Sequence, residues 1–173
     1  MKPPLSNLFN SKPGWLRVCR ATLVLSLAWP VWAAASFTVH GNGTLTDTVT
    51  SLVGDQSLYG LTGAACTTDT VFHGDWPTAL AKAAQANAAS YKGFTDWRVP
   101  NKNELMSVVK PDATSQPVID SIVFPNTPTS GDTFGHGGSW TSTTYAPPGP
   151  SDAWIVLFST GDTYASVKAN SHY

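Results

Sequence analysis

The most informative run of this chain is Gly93-Phe94-Thr95-Asp96-Trp97-Arg98-Val99-Pro100-Asn101-Lys102-Asn103-Glu104-Leu105. Gly93 is a helix stop, and Pro100 biases the residue before it to an extended conformation. Asn101 followed by Glu104 is typical of a capping box, which predicts that a second helix begins here with Leu105 on its apolar face. The run is therefore expected to form a corner between two helices.

Within this corner, Trp97 is expected to be buried because it is large and apolar. Arg98 is expected either to donate hydrogen bonds to backbone carbonyl groups or to pair with a carboxylate such as Glu104. Nothing close to them in the sequence supplies a nucleophile or a set of metal ligands. Trp97, Arg98, Pro100 and Glu104 are therefore interpreted as structural residues.

The two helices on either side of the corner have clear start and stop signals. Asp75 is a candidate N-cap and Pro77 lies in the first turn, so the first helix is predicted from there to about Ser90. The second helix is predicted over about Lys102–Lys110, because Pro111 stops it.

The remaining segments are typical of β-structure and loops. Alternation of Thr with apolar residues predicts a strand over Thr44–Val53, bent at Asp47. Later strands are predicted at Ser139–Tyr145, at Ala153–Phe158 as a central strand, and at Thr163–Lys168. Ile119, Ile122, Val123 and Phe124, in the long irregular segment between helix and strand, are expected to pack on the core.

The start of the chain is typical of a signal peptide over residues 1–35. Arg17 and Arg20 precede the apolar run Ala21–Trp32, and small residues follow before Ser36. The apolar run is shorter than the roughly 20 residues that span a bilayer. We therefore expect a secreted, periplasmic or cell-surface protein with a single domain over residues 36–173 and no membrane span after cleavage.

Composition restricts the partners of this domain. Charged residues make up 12% of the chain, against about 25% in an average protein. Loss of the first 35 residues would leave six basic and eleven acidic residues, a net charge of −5. This charge disfavours nucleic acid and anionic polysaccharide, and favours a neutral glycan or a protein.

Cleavage would also leave Cys66 as the single cysteine, which is expected to be buried and inert. The sequence has no Cys/His cluster with zinc spacing, so no metal and no cofactor is assigned.

Candidate ligand-binding residues are few. Asp132 and His136 lie in a Gly-rich stretch, and Asp152 lies in a proline-rich turn. Tyr145, at a strand end, is the best candidate for an exposed aromatic platform, whereas Trp140 and Trp154 are expected in the core together with Trp97. A cation site formed by Asp132, Asp152 and backbone oxygens has no supporting motif.

Taken together, these motifs resemble the Lcl C-terminal domain family, bacterial exported domains named after the globular head of a collagen-like adhesin. The resemblance covers most of residues 36–173 and rests on six stretches: residues 46–52, 76–80, 93–105, 119–128, 140–145 and 153–158.

The resemblance implies an α+β domain with a C-type-lectin-like fold, in which two helices pack on a small twisted antiparallel sheet with long loops. The corner formed by Arg98, Pro100 and Glu104 is similar to that of formylglycine-generating enzymes. Many relatives carry tryptophan where Gly54 stands, and a cysteine near Ser57 that could pair with Cys66. Relatives also continue beyond the equivalent of the last residue, so the domain is expected to lack its last strand.

These observations favour an exported, non-catalytic binding module for surface adhesion or for recognition of a glycan or protein ligand. The alternative is a structural head domain that mediates assembly into homo-oligomers. An enzyme of the formylglycine-generating type is disfavoured because its chemistry needs reactive cysteines and only Cys66 remains.

Overall fold

A computed structural model describes residues 37–128, 138–146 and 149–173. The strands are β1 Phe37–Val39, β2 Thr44–Asp47, β3 Val53–Asp55, β4 Gly138–Tyr145, β5 Asp152–Leu157 and β6 Thr163–Val167. The helices are α1 Trp76–Ala88 and α2 Lys102–Met106, with a 3₁₀ turn at Tyr91–Gly93. The predicted signal peptide, residues 1–35, lies outside the described residues.

The strands form two three-stranded antiparallel sheets, in the orders β1-β2-β3 and β4-β5-β6. The C-type-lectin-like arrangement of two helices packed on one small sheet is therefore wrong, although the fold is broadly α+β. Helix α1 has 13 residues, whereas α2 has five, which is less than two turns. The error arises because the early Thr-rich segment forms a sheet of its own and does not join the later strands.

The early sheet depends on a turn built by Asp47. Its Oδ1 accepts a hydrogen bond from the Val49 amide at 2.8 Å, and its Oδ2 accepts one from the Thr50 hydroxyl at 2.7 Å. Such Asp side-chain bonds to residues just downstream are typical of turns. The chain therefore reverses after Asp47, and the single bent strand predicted over Thr44–Val53 is strand β2, a turn, and the first residue of the antiparallel strand β3.

The later sheet is covered on both faces, as predicted for a central β5. Adjacent strand residues point to opposite faces. Ala153 and Ile155 pack on one face with Ala79 of α1 and with Trp140, and Val156 packs on the other face with Ile119. Leu105, Met106, Val108 and Val109 extend this second cluster. Both sides of the sheet thus contribute to the core.

The helix starts are confirmed and one helix end is not. Asp75 caps α1 by accepting a hydrogen bond from the Thr78 amide at 3.0 Å. Helix α2 ends at Met106 instead of Lys110, because the chain turns out of the helix and Val109 forms a β-bridge with Ile119.

Part of the long segment after α2 returns to the core. Ile119 is buried and Phe124 packs against the same cluster, as predicted. Ile122, which was expected to do the same, is 87% exposed, so that expectation is wrong.

The two edges of the later sheet differ. The β4 edge is partly covered, because the Tyr173 amide donates to Gly138 O and the Trp140 amide donates to Tyr173 O. Further along the same strand, the Ser142 amide donates to Pro100 O at 2.8 Å. Strand β6 is the other edge of the sheet in the described part of the chain.

Candidate functional site

The corner between the helices forms the local contacts that its sequence predicts. Asn101 and Glu104 form a complete capping box at the start of α2. Arg98 donates two hydrogen bonds to the Glu104 carboxylate, at 2.6 and 2.7 Å. The hydrogen bonds from Arg98 lower the pKa of Glu104, and the same bonds raise the pKa of Arg98. Arg98 therefore pairs with a carboxylate, the second of the two arrangements predicted for it, and does not rely on backbone carbonyl groups.

Trp97 is half-buried rather than fully buried, and backbone groups hold it in place. Its indole Nε1 donates to Tyr91 O at 2.8 Å, and its amide donates to the Asn87 side chain at 2.6 Å. The corner is thereby fixed to the end of α1 as well as to the start of α2.

The same corner is hydrogen-bonded to the later sheet and places Lys102 against the surface of that sheet. The Lys102 amide donates to the Thr143 hydroxyl at 3.0 Å, next to the bond between Ser142 and Pro100. From this position the Lys102 ammonium group lies 3.7 Å from the centre of the Trp154 ring. A cation at this distance over an aromatic face is attracted by the ring electrons.

Trp154 is not in the core, so the expectation for it is wrong. It alternates along β5 with the buried residues Ala153 and Ile155, and therefore faces away from them and is half-buried. Tyr145 packs against it edge-to-face, with ring centres 4.9 Å apart. Trp140, in contrast, is 3% exposed and confirms its predicted place in the core.

Two of the four predicted ligand-binding residues are brought together with Trp154. Tyr145 and Asp152 are direct partners in the β4–β5 ladder, so their side chains share one face of the sheet. We call Tyr145, Trp154, Lys102 and Asp152 the aromatic patch. It combines two half-buried rings with one positive and one negative group at the turn end of the β4–β5 pair, so Tyr145 is less exposed than the platform that was predicted.

The other two predicted residues, Asp132 and His136, lie outside the described residues. Gly138, the first described residue after them, begins β4, whereas Tyr145 ends it. Within the described part of the chain, no group of three or more His, Cys, Asp or Glu side chains is placed to hold a metal ion.

Cys66 is buried, as predicted, and its sulfur contacts the Ser57 hydroxyl. The Asn126 side chain also donates to Cys66 O at 2.8 Å, which ties this loop to the segment after α2.

A second candidate region is a cavity of about 600 Å³ that we call the inter-sheet cavity. Its walls come from both sheets, both helices and the corner. They include these largely apolar residues: Phe37, Leu45, Tyr59, Phe72, Ala79, Ala83, Tyr91, Phe94, Trp97, Leu105, Ile119, Phe124, Trp140, Phe158 and Tyr173. Sequence reasoning missed this cavity, because its walls are drawn from segments that lie far apart along the chain.

The size of the inter-sheet cavity has an energetic consequence. If it were closed and dry, a cost of about 24 cal/mol per Å³ would amount to about 14 kcal/mol, as much as the whole stability of a typical domain. Exposed residues such as Ser51 and Ser107 also line it, so it opens to the surface. Water can therefore enter the cavity, and an apolar molecule that displaced this water would remove the apolar walls from solvent.

Comparison with known proteins identifies the family of this chain. The family model described as the Lcl C-terminal domain matches residues 43–173, which is most of the chain. The chain therefore belongs to the Lcl C-terminal domain family, as its motifs indicated. No curated protein and no solved structure gives a significant match. None of the described helices has both the length and the apolar character needed to cross a bilayer.

Proposed function

We propose that this Lcl C-terminal domain is an exported, non-catalytic binding module that recognises a glycan or a protein at the bacterial surface, with the aromatic patch as its contact surface. The observation that carries the proposal is the pairing of Tyr145 with Trp154, two half-buried rings on one face of the sheet with centres 4.9 Å apart. Lys102 and Asp152 supply polar groups beside the two rings.

The chemistry of the patch suits a neutral glycan. Aromatic rings offer large apolar contact area to the C–H faces of a sugar, and few rotatable bonds are frozen on binding. An ammonium group donates hydrogen bonds to sugar hydroxyls, and a carboxylate accepts them. Because Lys102 and Asp152 balance each other in charge, and because the domain carries a net −5 after position 35, a neutral ligand is favoured over a polyanion.

Export and the absence of catalysis are part of the proposal. Residues 1–35 have the pattern of a signal peptide, with basic residues, then an apolar run, then small residues. This pattern supports removal of the segment and export of the domain to the periplasm, the cell surface or the medium. Cys66, the single cysteine of the domain, is buried against Ser57 and is held there by structure rather than presented to a substrate.

A glycan array of the purified chain tests this function, run once with calcium and once with a chelator. Selective binding to neutral glycans is expected, and Tyr145→Ala should abolish it. Tyr164→Ala is the matched control, because Tyr164 is an exposed tyrosine on β6 outside the patch. Loss of binding in both variants, or a blank array from folded protein, contradicts glycan recognition by the patch.

Assembly into homo-oligomers is a second candidate, favoured by the β6 edge. Tyr164 and Val167 on this strand are 52% and 48% exposed, and an edge strand offers unpaired backbone groups to another chain. Sedimentation equilibrium should then show an oligomer that Val167→Lys dissociates. Val49→Lys, a change at an exposed valine in the β2–β3 turn, should leave it intact. A monomer at all concentrations contradicts assembly.

A further inference from the structure

We propose that the inter-sheet cavity binds a small, neutral, apolar molecule. This site is separate from the aromatic patch and does not depend on the function proposed for it. The volume of about 600 Å³ lies within the range of about 300–1,000 Å³ that is usual for small-molecule sites.

One wall of the cavity is a continuous series of aromatic rings. Phe72 contacts Tyr59, Tyr59 contacts Tyr91, and Tyr91 contacts Trp97, with ring centres 6.4, 5.8 and 6.0 Å apart. Phe94 extends the series, 5.6 Å from Trp97. These rings keep partial exposure although they line the interior. Rings in this arrangement offer faces and edges to an apolar guest.

Three of the charged groups along the wall are paired within the protein. Asp55 pairs with Lys92 at 2.7 Å, and Glu104 pairs with Arg98. Burial, together with the charge of Asp55 and its hydrogen bond, raises the pKa of Tyr91, so this hydroxyl stays neutral. Asp47, Lys82 and Asp96 also line the cavity, but apolar side chains form most of its wall, so a neutral, apolar guest is favoured over an ionic one that would lose its hydration there.

The same reasoning selects a small molecule over a peptide segment. A peptide would bring a backbone N–H and C=O group at each residue, and each of these needs a partner when it is buried. A wall made mainly of aromatic and aliphatic side chains offers few such partners. A small molecule with few polar atoms has no such requirement.

Small residues create the space, and this gives matched variants. Ala83 of α1 lines the cavity, whereas the next residue, Ala84, does not line it and is exposed. Gly54 of β3 also lines it, and a side chain added there would point toward Leu45, the nearest atom lying 3.3 Å from the added carbon. Gly41, by contrast, has nothing within 4 Å of such a carbon.

The probe is N-phenyl-1-naphthylamine, a neutral apolar fluorophore, added to the purified full chain. We expect saturable binding of one molecule, detected by energy transfer from tryptophan. Ala83→Phe should weaken the affinity by about tenfold or more, while Ala84→Phe should leave it within about twofold. Tyr145→Ala should also leave it unchanged, because the patch is a different site.

Three results would overturn the proposal: no saturable binding to folded wild-type protein, unchanged binding in Ala83→Phe, or equal weakening in Ala84→Phe. Circular dichroism establishes that each variant is folded. If Ala83→Phe does not fold, the pair Gly54→Trp and Gly41→Trp decides in the same way. Binding that only Gly54→Trp weakens supports the cavity, and binding that both or neither weaken contradicts it.

Discussion

Replacing Ser57 with cysteine should close a disulfide with Cys66, because the Ser57 hydroxyl already contacts the Cys66 sulfur. A disulfide forms readily only where the two β-carbons are close and point toward each other. The contact between the two side chains indicates this arrangement.

The size of the effect follows from the loop that the bond would close. Residues 57 to 66 form a loop of about ten residues, for which the chain-entropy relation gives about 2.7 kcal/mol of stabilisation at 25 °C. The domain expected from the sequence spans residues 36–173. With an unfolding entropy of about 2.1 cal/mol/K per residue, the expected rise in Tm is about 9 °C.

The assay is thermal unfolding followed by circular dichroism, with and without reductant, in a background where Cys19 is replaced by serine. Oxidised Ser57→Cys should have no free thiol and a Tm that falls by about 9 °C when reductant is added. Ser57→Ala is the control, and its Tm should not respond to reductant. A folded Ser57→Cys protein with two free thiols after oxidation would refute the placement of this loop.

Three further predictions test other parts of the fold. Asn101→Ala should lower the free energy of unfolding by about 1 kcal/mol in a denaturant titration, through loss of the α2 cap, and an unchanged midpoint would contradict the cap. Arg98→Gln should cost less than about 1 kcal/mol in the same titration, because the Arg98 side chain is more than half exposed, and a larger loss would show a buried role. Burial alone would raise the pKa of Asp47, but hydrogen bonds from Thr50 and Val49 lower it below 3.8. Asp47 therefore contributes stability that is complete above about pH 4 and is lost as the pH falls through its lowered pKa. In urea titrations, Asp47→Asn should show a smaller drop in unfolding free energy between pH 7 and pH 3 than the wild type. An equal drop in the variant would contradict this role of Asp47.

Local signals were sufficient for the helix starts and the turns. The caps at Asp75 and Asn101 involve side chains and amides within three residues of each other, so the sequence pattern alone predicts them. Arg98 and Glu104 are six residues apart, and their pairing was one of two arrangements predicted for Arg98, the other being hydrogen bonds to backbone carbonyl groups.

Features that depend on distant contacts were not predictable in the same way. Alternating Thr and apolar residues do not show whether the chain stays extended over Thr44–Val53 or reverses direction. The reversal depends on the hydrogen bonds that the Asp47 side chain accepts from Val49 and Thr50. The apolar run of β5 indicates burial on both faces, yet Trp154 lies toward the turn end of the strand, where its face is only partly covered. The number of sheets and the inter-sheet cavity likewise follow from packing between segments far apart in sequence.

The most direct test of the proposed function follows the indole N–H signals of the seven tryptophans by NMR while a glycan from the array is added. Trp154→Phe assigns the signal of the patch, and Trp140 in the core is the internal reference. The account predicts that the Trp154 signal shifts in a saturable manner while the Trp140 signal stays still. Saturable shifts at Trp97 or Trp140 with an unmoved Trp154 would contradict it, because the ligand would then occupy the cavity and not the patch.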